Sequence, residues 1–361
     1  MDRKFWSKVQ LGWLILGLWG LLFLIAGWLI GWIFNQPTHQ LSQNNQSNNR
    51  SFNQIGLPSH NQSPTLTLTW LAVGDIMLSR QVAVKIKKAD DPLLPFRGLS
   101  DLLLSSDFNF GNLESPYSGS SYIPPVGSIT FNAWPDSLVG LIKYKFNILN
   151  LANNHILDQG LNGLRYTKKI LNQNNIATIG AGGAWAEAWQ PAIIERNGIR
   201  LGFLGVSYSS LNDNGATTNN YVARWNKLEQ LNKSIVQLKN QVDLVVVAMH
   251  GGLEYTSQPT AEQVKTAHSA IDAGADLVLG SHPHWVQTSE DYRGKKIYYS
   301  LGNFIFDQMW STRTQQGLVL RITVTKPAEP DSWAVFSKFE EIPVLIKDYS
   351  TPYLVNKGQA W

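Results

Sequence analysis

Four of the seven histidines in this chain stand where apolar, strand-like runs end, each among small polar residues. In order, the clusters read Gly74-Asp75, Gly111-Asn112-Leu113-Glu114, Asn153-Asn154-His155, His250-Gly251-Gly252-Leu253-Glu254-Tyr255 and Ser281-His282-Pro283-His284. Carboxylate, amide and imidazole donors delivered to one edge of an α/β sheet are what metal-assisted hydrolysis requires.

Each cluster also has a plainer reading. Asp75, after the apolar run LAV and a glycine, sits where crevices open at the carboxyl ends of strands, or caps a helix starting near Leu78. Asn112 and Glu114 point the same way if their strand continues, but Gly-Asn before Ser-Pro is also turn chemistry. Asn153 and Asn154 offer amide oxygens to a cation or cap a helix. His155 can ligate or carry a proton, with Asp158 three residues on to accept its second N–H. His250 closes the run LVVVAM, and Gly251-Gly252 lets backbone approach a ligand closely. His282-Pro283-His284, read as an extended segment, projects both rings to one side. Asn112, Glu254, Tyr255 and Asn303 are expected to face substrate, with support of the ligands or loop structure as alternatives for Asn303. His268 lies within an amphipathic helix, away from strand ends, and reads as a surface or packing residue.

The elements that position these groups alternate along the chain. Strands are expected at 66–73, 108–110, 146–151, 176–179, 200–206, 244–249, 277–279 and 297–300, with amphipathic helices over 160–172, 225–240 and 261–273. Such alternation predicts an α/β domain with buried strands. After Gly317 the pattern becomes strand-rich and predicts an antiparallel sheet edge. No cysteine occurs, so disulfides, thiolate metal sites and a cysteine nucleophile are excluded. The net charge of +4 is mild, and part of it is Arg3, Lys4 and Lys8, so nucleic acid is not an expected partner.

Residues 11–34 carry no charge and are long enough to cross a bilayer, whose core takes roughly 20 helical residues. The preceding positive charges predict a cytoplasmic N-terminus at 1–10, a single retained span, and export of the rest. An Asn-, Gln- and Ser-rich linker is expected over 35–65, with His39 and His60 solvated in it. The folded domain is expected over 66–325, extended by strands over 326–361.

Six motifs together resemble the CapA family of capsule and poly-γ-glutamate biosynthesis, over Leu66 to Thr325. They are V-G-D-x-M at Val73–Met77, G-N-L-E at Gly111–Glu114, N-N-H-x-x-D-x-G at Asn153–Gly160, H-x-G-x-E-Y at His250–Tyr255, G-S-H-P-H-x-x-Q at Gly280–Gln287 and S-L-G-N-F-x-F-D at Ser300–Asp307. That family is similar to the calcineurin-like metallophosphoesterases, which implies a two-sheet sandwich flanked by helices. The resemblance makes Asp75, Asn154, His250, His282 and His284 ligands of a divalent cation such as Mn²⁺, Zn²⁺ or Fe²⁺. Two positions depart from the metallophosphoesterase pattern. Met77 stands for the histidine of D-x-H, and Asn112 for the bridging aspartate of G-D, with Glu114 as a nearby substitute ligand. One cation or an unequal pair both fit this donor set. His155 and Asp158 would be the catalytic residues. The implied partners are an anionic polymer such as poly-γ-glutamate, membrane synthase subunits and the lipid bilayer. A non-catalytic accessory subunit and an exported cell-wall metallohydrolase are the alternatives.

Overall fold

Period-2 alternation in the first strand already assigns its two faces. In Thr65–Ile76, Leu68, Trp70 and Ala72 join one buried cluster while Leu71 and Val73 join another. The structure, a computed structural model, describes residues 64–208 and 220–355. In chain order the strands are β1 (Thr65–Ile76), β2 (Phe108–Leu113), β3 (Phe146–Asn150), β4 (Ala177–Ile179), β5 (Ala192–Arg196), β6 (Ile199–Ser207) and β7 (Leu244–His250). They continue as β8 (Leu277–Ser281), β9 (Ser289–Tyr292), β10 (Lys295–Tyr298), β11 (Asn303–Ile305), β12 (Gln316–Pro327), β13 (Val335–Lys347) and β14 (Thr351–Leu354). The longer helices are α1 (Arg80–Ala89), α2 (Gly160–Gln173), α3 (Leu228–Lys239) and α4 (Ala261–Asp272).

Two sheets result. The first runs β14-β13-β12-β1-β2-β3-β4, with β11 also paired to β1, and the second runs β5-β6-β7-β8-β10-β9. Strands β1 to β4 are mutually parallel, as are β6, β7, β8 and β10. The chain after Gly317 adds β12, β13 and β14 antiparallel, the expected sheet edge. Between the sheets lies a dry core. Trp70 of β1 stacks on Phe108 of β2 at 5.4 Å and meets Phe203 of β6 edge-on at 5.6 Å. On the outer face of the first sheet, α1 and α2 bury Val82, Ile86, Leu164 and Leu171 against Leu71, Val73 and Leu149. On the second, α3 and α4 bury Leu231, Ile235, Leu238, Ala267 and Ile271 against Leu204, Val206, Val245 and Val247. The architecture is therefore α/β/β/α, the expected sandwich. Helix α4 opens with a reciprocal capping box between Thr260 and Gln263.

Among the described residues no helix is long and apolar enough to cross a membrane. The expected span over 11–34, and the linker up to residue 63 with His39 and His60, lie outside the described residues. Thr65, assigned to that linker from sequence, is already in β1.

The motif glycines at 74 and 302 have one cause. A Cβ on Gly74 would lie 1.9 Å from the carbonyl oxygen of Gly302, and the next N–H, that of Asp75, donates to this same oxygen at 3.0 Å. This close approach pairs β1 with β11 and puts Asp75 opposite Asn303. Gly74→Ala must push the two strands apart. It should cost about 1–3 kcal/mol or more, as overpacking does. Urea denaturation checks this, and a loss below about 0.5 kcal/mol would mean that the approach is not required.

Candidate metal centre

Asp75 lies in β1, Asn112 in β2, and Glu114 one residue beyond β2, its N–H still donating to Ile76 O at 2.9 Å. Asn153, Asn154 and His155 follow β3. From the other sheet, His250 ends β7, and His282 and His284 follow β8. Packing of the two sheets brings the sets together. His284 Nδ1 is 3.4 Å from Asp75 Oδ2, His284 Nε2 is 3.9 Å from Glu114 Oε1, and His250 Nδ1 is 4.0 Å from Asp75 Oδ1. His155 Nε2 lies 3.8 Å from the same Glu114 oxygen.

The plainer readings of these residues do not hold. Asp75 is no helix cap, since Ser79 precedes α1, and Gly111-Asn112 lies within β2 instead of turning. The asparagines cap nothing either. Asn153 Oδ1 accepts from His155 N at 3.1 Å while its Nδ2 donates to Leu113 O at 2.8 Å, which folds the loop back on β2. The His-Pro-His segment differs from the extended geometry expected of it. His282 has φ 100° and His284 φ 57°, both left-handed, and their rings stand 6.0 Å apart. Non-glycine residues held there cost about 1–3 kcal/mol each, and such strain gathers at functional sites.

A frame of amides fixes the donors. Asn112 Nδ2 donates to Asp75 Oδ1 at 2.8 Å, and its Oδ1 accepts from Asn150 Nδ2 at 3.0 Å. Asn303 Oδ1 accepts from His284 Nδ1 at 2.9 Å, and its Nδ2 donates to Thr314 O at 2.8 Å. Both amides, expected to face substrate, are buried and engaged within the protein, so they orient a carboxylate and an imidazole instead. His250 Nε2 is 2.8 Å from Asn154 Oδ1, and its Nδ1 is 3.0 Å from Ser281 Oγ. His250 therefore reaches a cation only by releasing one of these contacts.

Glu254 and Tyr255 stand at the mouth, partly exposed. The Tyr255 hydroxyl accepts from Gln308 Nε2 at 3.2 Å, and its ring lies 6.0 Å from that of His284 and 4.9 Å from Trp310. Burial, with the Glu254 charge second, pushes the Tyr255 hydroxyl up to about 12. His268 behaves as a surface residue, stacked on Tyr292 and bonded to Glu290 at 3.0 Å.

The electrostatics call for a cation. Burial above all, then the charges of Asp75 and Glu254, holds the Glu114 carboxyl well above its ordinary range. Burial, then the neighbouring histidines, holds His250 and His282 well below theirs, so both are neutral donors at pH 7. Both oxygens of Glu114 and Nδ1 of His282 are buried without a hydrogen-bond partner and could face a cation, whereas Nδ2 of Asn154, also unpartnered, is a donor and calls for an acceptor. Leaving several such atoms unpaired is costly unless a guest satisfies them. The donors form two groups that share Glu114: Asp75, Glu114 and His284, and Glu114, His250 and His282. Within each, the ligand atoms lie within 4.8 Å of one another. Residues present therefore fit divalent cations, with Glu114 common to both groups. Met77 adds no ligand. It is fully buried, and its sulfur accepts from Ser79 N at 3.1 Å.

His155 and Asp158 flank the cluster. His155 Nδ1 is 2.8 Å from Asp158 Oδ2, and its ring stacks on Phe131 at 4.0 Å. Burial raises the Asp158 carboxyl above its usual range, against the opposing pull of His155. Arg80, in turn, lies over Phe131 at 4.7 Å and is paired with Asp307. Sequence reading missed Phe131 and Arg80. Phe131 belongs to an irregular stretch with no periodicity to flag it, and Arg80 opens α1, the helix that the sequence suggests near Leu78 only as something Asp75 could cap.

Comparison with known proteins agrees with this geometry. Residues 69–308 match the family described as "Bacterial capsule synthesis protein PGA_cap". The "Capsule biosynthesis protein CapA" of Bacillus anthracis is 33% identical over 270 residues, covering 72% of this chain and 64% of that protein. The match thus spans just under two thirds of that relative's length. The "PGA biosynthesis protein CapA" of Bacillus subtilis (strain 168) is 32% identical over 288 residues, covering 79% of this chain and 73% of that one. The chain belongs to the bacterial capsule synthesis (CapA) family. Among solved structures, "Putative 5'-Nucleotidase from Staphylococcus aureus in complex with alpha-ketoglutarate" aligns with a TM-score of 0.51 and 15% identity, over 78% of this chain and 55% of that one. The two share the two-sheet α/β fold described above.

Glu114 sets a sign for metal-free stability. Its raised pKa means that the folded state holds a proton that the unfolded state has released above about 4.5, so this group's contribution to stability falls as pH rises. At pH 7, metal-free Glu114→Gln should therefore melt above metal-free wild type, each kcal/mol being worth about 2–4 °C. The variant should also lose the stabilisation that added Mn²⁺ or Zn²⁺ gives the wild type. Melting curves with and without metal decide, and a variant that melts lower while keeping the metal shift would contradict the assignment.

Proposed function

We propose that this protein is an exported, membrane-anchored component of capsule polymer synthesis whose acid–histidine centre hydrolyses or transfers a γ-glutamyl amide or phosphoester bond. Glu114 carries this reading: its carboxylate, buried without a hydrogen-bond partner, belongs both to the group with His250 and His282 and to the group with Asp75 and His284. Such a centre suits Mn²⁺, Zn²⁺ or Fe²⁺ better than Ca²⁺ because it mixes imidazole nitrogen with carboxylate oxygen. A cation held there would supply Lewis acidity and lower the pKa of bound water.

The chain's own groups then divide the work. Asp158 accepts the Nδ1 proton of His155 and so directs Nε2 toward Glu114 and the cluster. Stacking on Phe131 holds the ring in that plane. As water attacks the phosphorus or carbonyl carbon, the bond to the leaving oxygen or nitrogen breaks, and a proton on His155 Nε2 passes to that leaving atom. One water proton restores Nε2, and the other stays on the hydroxyl of the product acid. Asn112 and Asn303 keep Asp75 and His284 in place throughout.

A non-catalytic accessory role has one observation in its favour. Met77 occupies the D-x-H histidine position and turns its sulfur to the backbone, so the Asp75 group lacks a fourth protein ligand. In that case the centre would serve to bind polymer or synthase subunits.

Anchoring rests on the uncharged stretch at 11–34 and the positive residues before it. Protease added to intact cells should remove the main domain. Survival of the full-length chain, with cleavage only after lysis, would refute export.

His155→Gln should lower turnover by about 10²–10⁴-fold while metal content stays unchanged, because general acid catalysis is worth that much. His282→Ala should lose metal and activity together. Capsule or polymer output of cells carrying each variant at normal protein levels is the test. Unchanged output for both would eliminate the catalytic reading.

A further inference from the structure

Beside the centre lies a small cavity that the proposed reaction leaves unused. It encloses about 170 Å³ and is lined by Ser257, Trp285, Val286, Arg313 and Gln316. Two links tie it to the ligands. Trp285 follows His284 in the chain, and Thr314, next to Arg313, accepts through its carbonyl from Asn303, the amide that holds His284.

The arginine here is unusual in its company. Its guanidinium carbon lies 4.7 Å from the centroid of the Trp285 ring, and the group makes no ion pair or side-chain hydrogen bond among the described residues. Among the described residues, Arg80, Arg97, Arg293 and Arg321 each pair with an acid, which Arg313 does not. The Trp285 Nε1 is buried without an acceptor. Stacking on an aromatic ring fixes the guanidinium plane and leaves its N–H edge free for a planar anion. One fixed guanidinium matches a single carboxylate in charge and plane, whereas a phosphate chain calls for several cations.

We infer that this cavity is a subsite for a free carboxylate of the substrate, on the residue next to the reacting bond of a γ-linked acidic peptide. The inference rests on the polymer-processing reading above and deepens it. Glu254, the acid nearby that is not assigned to the cation, repels a polyanionic chain, and a fixed cation of this kind offsets that repulsion.

The test is calorimetric titration of full-length, metal-loaded protein with a γ-linked glutamate oligomer and with the same oligomer amidated at its free carboxylates. Arg313 is exposed, so Arg313→Met and Arg313→Lys should fold and keep their metal, which melting and metal analysis verify. Arg313→Met should weaken binding of the acidic oligomer about 10–100-fold, with Arg313→Lys in between. Neither should alter the weaker binding of the amidated one. Wild type and Arg313→Met binding the acidic oligomer within about twofold of each other would refute the subsite while leaving the polymer reading intact. No binding of the acidic oligomer by wild type would sink the polymer reading and the subsite together. Tripolyphosphate bound more tightly than the oligomer, and lost in Arg313→Met, would show that the cavity takes phosphate and that the carboxylate assignment is wrong.

Discussion

A carboxylate buried without a hydrogen bond is the constraint around which this domain is arranged. Glu114 is wholly buried, beside a second acid and within reach of His155 and His284. An ionised group in such a place is costly unless a cation or a proton meets it. The surrounding structure refuses easier solutions. The amide of Asn112 is spent on Asp75, that of Asn303 on His284, and Arg80 on Asp307. The left-handed backbone at His282 and His284 stores further strain in the same place. A fold that keeps all of these costs together has a cation as its natural complement, and binding it is then linked to folding.

The centre exists only because two sheets meet. The first supplies the acids, Asp75 and Glu114, and the loop of Asn154 and His155, while the second supplies His250, His282 and His284. No single βα unit holds a complete donor set. Register between the sheets is therefore a functional quantity, and the aromatic packing of Trp70 and Phe108 on Phe203 helps to fix it. Phe203 comes from β6 and the other two from β1 and β2, so this contact spans the interface far from the ligands. At the ligand end, the approach of Gly74 to Gly302 performs the corresponding task within one sheet.

Much of this was legible in the sequence because it is local. Buried parallel strands read as apolar runs, three helices showed their stripes, and the polar clusters marked strand ends. Two-sheet packing followed from the ordered motifs. What escaped notice depends on partners distant in the chain. Asn303 pairs with Asp75 across β11 and β1, and β11 is only three residues long, too short to carry an alternation. Asn112 looked like a group for substrate, and Asn303 stayed open between substrate and support of the ligands, because a side chain's partner cannot be read from its own neighbours. The His-Pro-His segment reads as extended because it follows the strand-like run LVLG, and proline favours extended backbone in the residue before it. Tertiary contacts override the preference: Asp75 Oδ2 accepts from His282 N at 3.3 Å, and Pro283 O accepts from Tyr255 N at 2.8 Å.

The central claim is that Glu114 is shared between two cation positions. Anomalous X-ray diffraction from crystals grown with Mn²⁺ or Zn²⁺, collected on both sides of the metal's absorption edge, tests it most directly. The account predicts anomalous peaks against Asp75, Glu114 and His284 and against Glu114, His250 and His282, with a Glu114 oxygen coordinating in each occupied position. A metal-saturated crystal with no peak at this cluster, or with peaks whose ligands exclude Glu114, would contradict it.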